Sequence, residues 1–453
     1  MADWEQKSFW LETAGPYEPQ PALQGDRVVE VAVVGGGFTG LSTALHLKER
    51  QPGLRVAVLE AGVTGCGASG RNAGFAMTLF GVSLTITVLR WGRERAREAD
   101  QYMVRAVEYT EAQIRRLGID CDYERHGLLA VAATPGQLRR QREEQELAEA
   151  AGLHPTRWLD REAVRNLVDS PTYLGGRYDP LCGLLHPAKL VRGLARAALA
   201  AGVEVYEGTP VTAIHPGRRV RLDTPGGRVT AEKVVLATNA YTCAFPALRH
   251  LQVPMHTYVV LTEPLSPAQL AAIGWRRRVG VEDGRNFLHY YRLTPDNRIL
   301  LGGRDAPYYY GNRTGVDRHP GLRAALAEEL VRTFPALQGV RLTHHWGGPI
   351  SATLDMVPAI GRIGPNLFYS LGCMGHGVAL TQLNGRTLSD LVLETPSELT
   401  AAWFVGRRAL PLPPEPIRYP LVQGIRGALR LLDAWDDWRS RRRPVPAGTP
   451  GTP

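Results

Sequence analysis

The sequence predicts an α/β fold in which a Rossmann-type parallel sheet carries an inserted α+β domain built on an antiparallel sheet. Three observations lead to this prediction. A strand, a glycine turn, a helix and a second strand follow one another within residues 28–61. Strands of similar character return after residue 180. Residues 246–339 are rich in aromatics and in short alternating strands separated by turn residues, which is typical of antiparallel hairpins.

Length and composition are those of an ordinary globular protein. The 453 residues are 44% hydrophobic and 21% charged, and the formal net charge is +9. No apolar run reaches the roughly 18 residues that a membrane span needs, and the start of the chain lacks the apolar core of a signal peptide. The five cysteines are widely spaced and form no C-x-x-C pair. We therefore expect a cytoplasmic protein with no bound metal, no disulfide framework and no membrane span.

The positive charge is concentrated near the C-terminus. Residues 401–453 contain nine arginines and four acidic residues, and the preceding chain is nearly neutral. We therefore expect a basic C-terminal extension, residues 401–453. Its predicted helix, residues 421–438, would pack on the protein body, contact another subunit or meet a membrane surface. The apolar residues of this helix are Leu421, Ile425, Leu429, Leu432 and Trp435.

The N-terminal unit carries a G-x-G-x-x-G turn, formed by Gly35, Gly37 and Gly40 between the strand at 28–34 and a helix. The first glycine permits the tight turn, the second lets the backbone approach a pyrophosphate, and the third lets the helix pack on the strand. The helix N-terminus then offers free N–H groups to the phosphates. Glu60, after the second strand, has the spacing of an acid that binds ribose hydroxyls. The alternative is a glycine-rich turn without a ligand.

Later segments complete two predicted domains. A helix at 187–201 and a strand at 233–240 resume the parallel sheet. The sequence shows no internal repeats. The predicted dinucleotide-binding domain comprises residues 28–90, 180–245 and 340–400, and the inserted substrate or cap domain comprises residues 91–179 and 246–339.

Four further stretches accompany the glycine turn. They are a small-residue loop at 65–74, residues 237–240, residues 346–361, and a last glycine turn at 372–378. Together with the glycine turn and Glu60, they resemble the FAD-dependent amine and amino-acid oxidases of the D-amino-acid oxidase superfamily. Within it, the opening Ser8-Phe9-Trp10, the 67–74 loop and the turn at 375–377 resemble the gamma-glutamylputrescine oxidase subgroup most closely, beside the glycine and sarcosine oxidases.

The resemblance implies a glutathione-reductase-like FAD-binding domain with FAD as cofactor. By matching position, the residues implied to bind it are Gly35, Gly37, Phe38, Thr39, Gly40, Glu60, Ala61, Gly67, Ala68, Ser69, Arg71, Asn72, Ala73, Gly74, Val211, Thr238, Asn239, Gly348, Gly372, Gly375, His376, Gly377 and Val378.

The resemblance also implies the reaction. Superfamily members oxidise a substrate C–H bond beside nitrogen, and the resulting imine is hydrolysed to an aldehyde or keto product. We therefore expect an enzyme that oxidises a primary or secondary amine, with O2 as acceptor and H2O2 as product. The alternative is an amino-acid or opine dehydrogenase that passes electrons to another acceptor.

Five residues are candidates for this chemistry. His376 would face the flavin or brace the turn, and Tyr290 and Trp346 would line an apolar pocket that favours the free-base amine or belong to the core. Arg292 would hold a substrate carboxylate or be a solvated strand-end charge. If O2 is used, His345 or His376 is a candidate for the positive charge that stabilises superoxide.

Residues found in some superfamily members are missing from this chain. Sarcosine oxidases bond the flavin to a cysteine where this chain has Gly348, and dimethylglycine-dehydrogenase-type relatives use a histidine where it has Arg71. We therefore expect non-covalent FAD. The lysine that binds the carboxylate of sarcosine corresponds to Ala379 here, so a compact α-amino acid is disfavoured as substrate. Sarcosine oxidases also carry an oxygen-activating lysine on the strand that is Ile299-Leu300-Leu301 here, so the resemblance leaves the use of O2 open.

Other function classes are less well supported by the sequence. A non-catalytic or RNA-associated FAD protein is the remaining alternative, but the chain lacks aromatic-basic RNA-binding motifs. The expected partners are a small-molecule amine and O2 or another electron acceptor, with no nucleic acid. A homo-oligomer is compatible with the sequence.

Overall fold

The computed structural model describes residues 3–81, 83–407 and 409–442. Local signals set the helix ends: α4, for example, begins after Thr134, whose hydroxyl accepts the N–H of Gln137 at 3.1 Å, and it ends at the left-handed Gly152. The helices of this part of the chain are α1 (Phe9–Thr13), α2 (Phe38–Arg50), α3 (Leu84–Arg116), α4 (Pro135–Ala151), α5 (Arg161–Arg165), α6 (Pro187–Ala200), α7 (Pro267–Ala272), α8 (Pro320–Thr333), α9 (Gly377–Val392), α10 (Glu398–Ala401) and α11 (Arg418–Arg442).

The strands form two large sheets and one small one. They are β1 (Arg27–Val34), β2 (Val56–Leu59), β3 (Phe75–Ala76), β4 (Leu128–Ala132), β5 (Arg157–Asp160), β6 (Gly175–Asp179), β7 (Gly183–Leu184), β8 (Glu204–Tyr206), β9 (Ala213–His215), β10 (Val220–Thr224), β11 (Gly227–Leu236), β12 (Val253–Thr262), β13 (Gly280–Asp283), β14 (His289–Leu293), β15 (Ile299–Gly303), β16 (Leu342–Ala352), β17 (Ala359–Ile363) and β18 (Leu367–Leu371).

The first sheet is mainly parallel, in the order β17-β18-β11-β1-β2-β8, with the β9–β10 hairpin attached to β11. The central strand β1 pairs in parallel with β11 and β2. Val29, Val31, Val33 and Val34 of this strand are buried. Residues of α2, α6 and α9 pack against Val31 and Val33, whereas Val29 and Val34 belong to a second cluster with residues of β10, β11 and β18. This arrangement is the α/β architecture that the sequence predicts.

The second sheet has the order β16-β12-β15-β14-β13-β4-β6-β5 and is antiparallel except at the β13–β4 pair. Its strands come from both excursions of the chain. Because β16 pairs along most of its length with β12, it belongs to this sheet. The predicted domain boundary at residue 340 places β16 in the dinucleotide-binding domain, whereas the structure places it in the second sheet.

The C-terminal helix α11 lies across one end of the second sheet, where it contacts residues that follow β4, β13 and β15. It docks through ion pairs and hydrogen bonds and through Val422, which is buried in a cluster with Val253, Tyr308 and Leu412. Of the three alternatives for its apolar residues, packing on the body is not seen for Leu421, Ile425, Leu432 and Trp435, which are 41–57% exposed. Within the described residues, no helix is both long enough and apolar enough to cross a membrane.

Candidate active site

The glycine turn after β1 leaves no room for side chains. Gly35 has a φ of 109°, and a Cβ there would lie 2.7 Å from the carbonyl oxygen of Ala237. A Cβ on Gly40 would collide with the carbonyl oxygen of Gly35, and one on Gly37 would lie 2.8 Å from the Ser69 hydroxyl. The turn therefore presents bare backbone at the N-terminus of α2, which is the geometry that accepts a phosphate group.

Glu60 stands directly after β2, beside this turn. Its carboxylate accepts the N–H of Gly36 at 2.7 Å and the N–H of Gly62 at 2.9 Å. Burial raises the pKa of this carboxyl, and the two N–H donors oppose the rise. The backbone thus fixes the orientation of the acid that the sequence pattern assigns to a ribose.

The turn, Glu60 and the loop at 65–74 line a space that we call the cradle cavity. Its other walls follow β8, β11 and β18, which lie in the same sheet as β1, so their carboxyl ends meet at one edge. The predicted cofactor residues that line it are Gly35, Gly37, Phe38, Thr39, Glu60, Ala61, Gly67, Ala68, Ser69, Arg71, Asn72, Val211, Thr238, Asn239, Gly375, Gly377 and Val378.

Arg71 anchors the 65–74 loop to the second sheet. Its Nε donates to the carbonyl of Cys66 at 2.7 Å, and its Nη1 donates to the carboxylate of Asp317 at 2.6 Å and to the carbonyl of Gly347 at 3.3 Å. The guanidinium is therefore already paired with a carboxylate.

A second space, which we call the central cavity, adjoins the cradle cavity on the side of the second sheet. Ala68, Arg71, Asn72, Ile350, Gly375 and Val378 line both. Its other walls are mainly apolar and include Phe75, Met77, Met255, Leu288, Met356 and Met374. Four more predicted site residues line this cavity and not the cradle cavity: Tyr290, His376, Ala73 and Gly348. Tyr290 packs edge-on against Phe75, with ring centroids 6.1 Å apart.

His376 occupies the N-cap position of α9 but makes no capping hydrogen bond with its side chain. Burial lowers its pKa to about 4, and a hydrogen bond to the backbone of Gly81 opposes the shift only in part. The ring is therefore neutral at physiological pH. Its buried Nδ1 has no hydrogen-bond partner within the described part of the chain.

Arg292 does not line either cavity. The side chain is buried beneath the 65–74 loop, where Nη1 donates to the carbonyls of Ala73, Gly74 and Leu185 at 3.2, 3.2 and 2.7 Å. Burial lowers the pKa of this arginine to about 9. Neither predicted role of Arg292 agrees with this position. The side chain is not solvated, and its guanidinium donates to backbone carbonyls rather than into a substrate cavity.

His345 and Trp346 also lie outside both cavities. They are adjacent on β16, so their side chains point to opposite faces of the sheet. The ring of His345 bonds to the carbonyl of Val259 at 2.9 Å and accepts the N–H of His319 at 3.0 Å, and burial lowers its pKa. The indole of Trp346 donates to the carbonyl of Arg71 at 2.8 Å. Trp346 therefore supports the loop from behind.

Three predicted cofactor glycines likewise line neither cavity: Gly40, Gly74 and Gly372. Each sits at a close approach of two segments. A Cβ on Gly74 would collide with the carbonyl of Leu185, and one on Gly372 would lie 2.6 Å from the Thr353 methyl group. These glycines shape the walls without reaching the space.

Several lining residues were not found from the sequence. In the cradle cavity these include Lys7, Cys66, Tyr241 and Phe245, of which the first three lie within or next to stretches that carry the resemblance. In the central cavity they include Glu282 on β13, Asp305 after β15, and Val422, Ile425, Arg426 and Leu429 of α11. An acidic residue within the short strand at 280–283 was a usable signal for Glu282. No local signal links α11 to the cavity, because that contact depends on tertiary folding.

One cluster of potential metal ligands occurs in the described chain, formed by Asp283, His289 and Glu329. Arg285 makes an ion pair with Asp283 and lies 3.5 Å from Glu329. Its guanidinium already balances the negative charge there.

The glycine turn, the carboxylate of Glu60 beside it and the adjoining apolar cavity define a dinucleotide-dependent oxidoreductase. The chain belongs to the DAO family of FAD-dependent oxidoreductases, whose family model matches residues 30–391. The match confirms the resemblance noted in the sequence, the enzyme class and FAD as the cofactor.

The names of two similar proteins agree with this family assignment. Gamma-glutamylputrescine oxidoreductase of Escherichia coli K12 is 38% identical over 387 residues, which cover 85% of this chain and 88% of the relative. Glycine oxidase of Geobacillus kaustophilus is 26% identical over 375 residues, covering 80% of this chain and 92% of the relative. The predicted subgroup and its neighbours are therefore confirmed as similar proteins.

Solved structures confirm the predicted fold class. Glycine oxidase from Geobacillus kaustophilus has a TM-score of 0.71 at 24% identity and covers 85% of this chain and 100% of its own. L-proline dehydrogenase from P. horikoshii has a TM-score of 0.69 at 20% identity and covers 89% and 99%. At these identities the likeness concerns the fold.

The residues present fit FAD. The glycine turn forms a cradle that Cβ atoms would obstruct, and the N-termini of α2 and α9 lack side-chain caps. The unpartnered Nδ1 of His376 lies beside the start of α9. These features leave N–H groups and one ring nitrogen available to an anionic, hydrogen-bonding cofactor.

Proposed function

We propose that this flavoenzyme oxidises the carbon–nitrogen bond of a primary or secondary alkyl amine to an imine, which water hydrolyses to an aldehyde or keto product. The observation that carries the proposal is the central cavity. It shares a wall with the cradle cavity, and its surface is mainly apolar and rich in methionine. Such a surface accepts methylene chains.

The charges of the central cavity favour an amine over a compact α-amino acid. Binding a free carboxylate calls for an unpaired cation. Within the described lining, each arginine has an acidic neighbour: Arg71 has Asp317 at 2.6 Å, Arg304 has Glu329 at 3.7 Å, and Arg426 has Asp305 at 2.6 Å. The 38% identical relative named gamma-glutamylputrescine oxidoreductase supports a substrate with an aminoalkyl chain.

The chain's own residues prepare the amine by desolvating it. An alkyl ammonium has a pKa near about 10.4 in water, and an apolar environment shifts the equilibrium toward the free base. Burial raises the pKa of Tyr290 to about 12, so its hydroxyl stays neutral, and His376 is neutral as well. Residues of α11 cover part of the cavity and restrict the access of water.

The residues proposed to hold FAD are those of the cradle cavity, with Glu60 at the ribose and the N-termini of α2 and α9 at anionic groups. When bound, FAD supplies the two-electron acceptor of the reaction. We propose non-covalent binding, since Gly348 and Arg71 stand where some relatives use a bonding cysteine or histidine. Acid precipitation should release the yellow colour into the supernatant; colour retained in the pellet would contradict this.

We propose O2 as the electron acceptor, with H2O2 as product. Neither predicted histidine supplies a positive charge beside the flavin. His345 lies away from both cavities, and burial keeps His376 neutral. Arg71, which lines both cavities and remains protonated, is the cation we propose for this role. A dehydrogenase is the second candidate, because the guanidinium of Arg71 is already paired with Asp317.

The test is a substrate panel with the FAD-loaded protein. Butylamine, 1,4-diaminobutane and gamma-glutamylputrescine should bleach the flavin absorbance under anaerobic conditions, whereas glycine and sarcosine should do so at least about tenfold more slowly. Peroxide formation in air, compared with reduction of an artificial dye, separates the oxidase from the dehydrogenase. Rapid turnover of sarcosine would overturn the proposed amine specificity.

A further inference from the structure

Glu282 is a carboxylate in the wall of the central cavity. It lies on β13, where its Cα is the cross-strand partner of Tyr290, and neighbours paired in this way project from the same face of a sheet. Both residues line the central cavity. Glu282 also lines a third space, which we call the side cavity and which is bounded by His154, Arg177 and Asp179.

This position puts Glu282 at a different border of the central cavity from the cofactor. The border with the cradle cavity is formed by residues such as Arg71, Gly375 and Val378. Glu282 belongs instead to the border with the side cavity. Apolar side chains, among them Met77, line the space as well. A ligand that contacts both borders needs a polar group for each and an apolar chain to join them.

Glu282 differs from the other charged residues of this cavity because its carboxylate has no hydrogen-bond or ion-pair partner among the described residues. Asp305, by contrast, accepts two hydrogen bonds of 2.6 Å from Arg426. Burial raises the pKa of Glu282 to about 7, with Arg177 opposing the rise and Asp283, among other acids, adding to it. An ammonium group beside the carboxylate would stabilise its ionised form.

We propose that Glu282 binds a second ammonium group of the substrate, so that the site selects diamines and other amines with a distal cation over monoamines of equal chain length. The reaction part of this inference rests on the proposed function, whereas the binding preference can be measured without turnover. A distal carboxylate without an accompanying ammonium group would face the same glutamate and would be disfavoured by like-charge repulsion.

The experiment compares Glu282→Gln with the matched control Glu328→Gln in FAD-loaded protein. Glu328 is exposed on α8 and lines none of these cavities, so the control makes the same chemical change elsewhere. Binding of 1,4-diaminobutane, butylamine and 4-aminobutyrate is measured by anaerobic calorimetry with the flavin reduced beforehand by dithionite, so that no amine is oxidised. The pH is about 8, where an ionised Glu282 and protonated amines coexist. Thermal melting checks that both variants are folded.

We expect the unmodified protein and Glu328→Gln to bind the diamine at least about tenfold more tightly than butylamine, with 4-aminobutyrate weakest. In Glu282→Gln the two amines should bind within about twofold of each other, through weaker diamine binding. An unchanged diamine preference in this variant, equal losses for both amines, or no preference in the unmodified protein would each overturn the inference.

Reduction of the bound flavin separates this inference from the proposed function. If no amine bleaches the flavin in any variant, the proposed function fails, and the calorimetric preference still decides the role of Glu282. If amines bleach the flavin but Glu282→Gln keeps the diamine preference in kcat/KM and in binding, the proposed function stands and this inference fails.

Discussion

The cradle cavity and the central cavity share a wall but are built in different ways. The cradle is formed largely by backbone: glycines, helix N-termini and the ends of parallel strands. The central cavity is formed by side chains from distant segments, including the second sheet and α11. A cofactor common to a whole family suits the first kind of wall, and a variable substrate suits the second.

The two walls also differ in how they tolerate change. Where a carbonyl oxygen occupies the space that a Cβ would need, every substitution of the glycine destabilises the protein. An apolar side chain in a cavity wall can be exchanged for another of similar volume with a smaller loss of stability. Substitutions in the cradle should therefore remove FAD, and substitutions in the central cavity should change the substrate preference while FAD stays bound.

The largest effect is expected from Gly40→Ala. The new Cβ would collide with the carbonyl oxygen of Gly35, and backbone cannot move aside there without shifting α2 against β1. We expect a loss of about 3 kcal/mol or more in stability and colourless protein. Absorbance of the purified protein and its melting temperature measure this.

Gly53→Ala is the matched control, because a Cβ at Gly53 has no neighbour within 4 Å. If Gly40→Ala does not fold, Gly37→Ala gives a milder test, since its Cβ would meet the Ser69 hydroxyl, a side chain that can rotate. Normal FAD content in both cradle variants would contradict the close-approach argument.

Ending the chain at residue 417 should affect the central cavity alone. The truncation removes Val422, Ile425, Arg426 and Leu429 from the wall and leaves Asp305 without its arginine partner. We expect FAD content to stay the same and kcat/KM for amines to fall at least about tenfold, mainly through KM. Steady-state kinetics and flavin absorbance measure the two quantities.

Ending the chain at residue 442 is the control and should leave both quantities unchanged. If the longer truncation is insoluble, Asp433→Ala weakens the docking of α11 less severely. The carboxylate of Asp433 accepts the N–H groups of Asn286 and Phe287 at 2.9 and 3.1 Å. Loss of FAD together with activity would show that the two cavities are not independent.

The same difference explains which parts could be predicted from the sequence. The cradle depends on local patterns: glycines at fixed spacing after a β-branched strand, and an acid after the next strand. The pattern therefore predicts Gly35, Gly37 and Glu60 as cofactor residues, and all three line the cradle cavity. Arg292 and His345 were placed less well, because a polar residue on a strand carries no sign of whether backbone carbonyls or a cavity will face it. The contact of α11 with the cavity has no local signature at all.

A titrating cluster in the inserted region should make stability depend on pH. Burial alone would lower the pKa of His154, but hydrogen bonds to Asp100 at 2.6 Å and Asp179 at 3.0 Å outweigh it and raise the pKa to about 9. The stabilisation is therefore complete below the unfolded pKa of about 6.5 and is lost as pH rises through about 9. We expect the free energy of unfolding to fall by on the order of 2 kcal/mol over this range.

Denaturant titration of the unmodified protein and His154→Gln checks this. The variant should be less stable at about pH 6.5 and should lose the pH dependence between there and about pH 9. His215→Gln is the control, because His215 is exposed and its ion pair with Asp223 is a surface one. A pH dependence that survives in His154→Gln would assign it to other groups.

The smallest effect is expected from Trp346→Phe, which distinguishes a loop support from a pocket wall. The change removes the indole N–H that bonds to the carbonyl of Arg71 at 2.8 Å and keeps an aromatic ring in the core. We expect about 1 kcal/mol of lost stability and FAD binding weakened by a few-fold, with amine preference unchanged.

Trp403→Phe is the control, because the indole of Trp403 donates to the carbonyl of Arg95 at 3.1 Å and the residue lines neither cavity. This control should alter stability without altering FAD affinity. A changed KM for amines with unchanged FAD affinity in Trp346→Phe would restore the residue to the substrate wall.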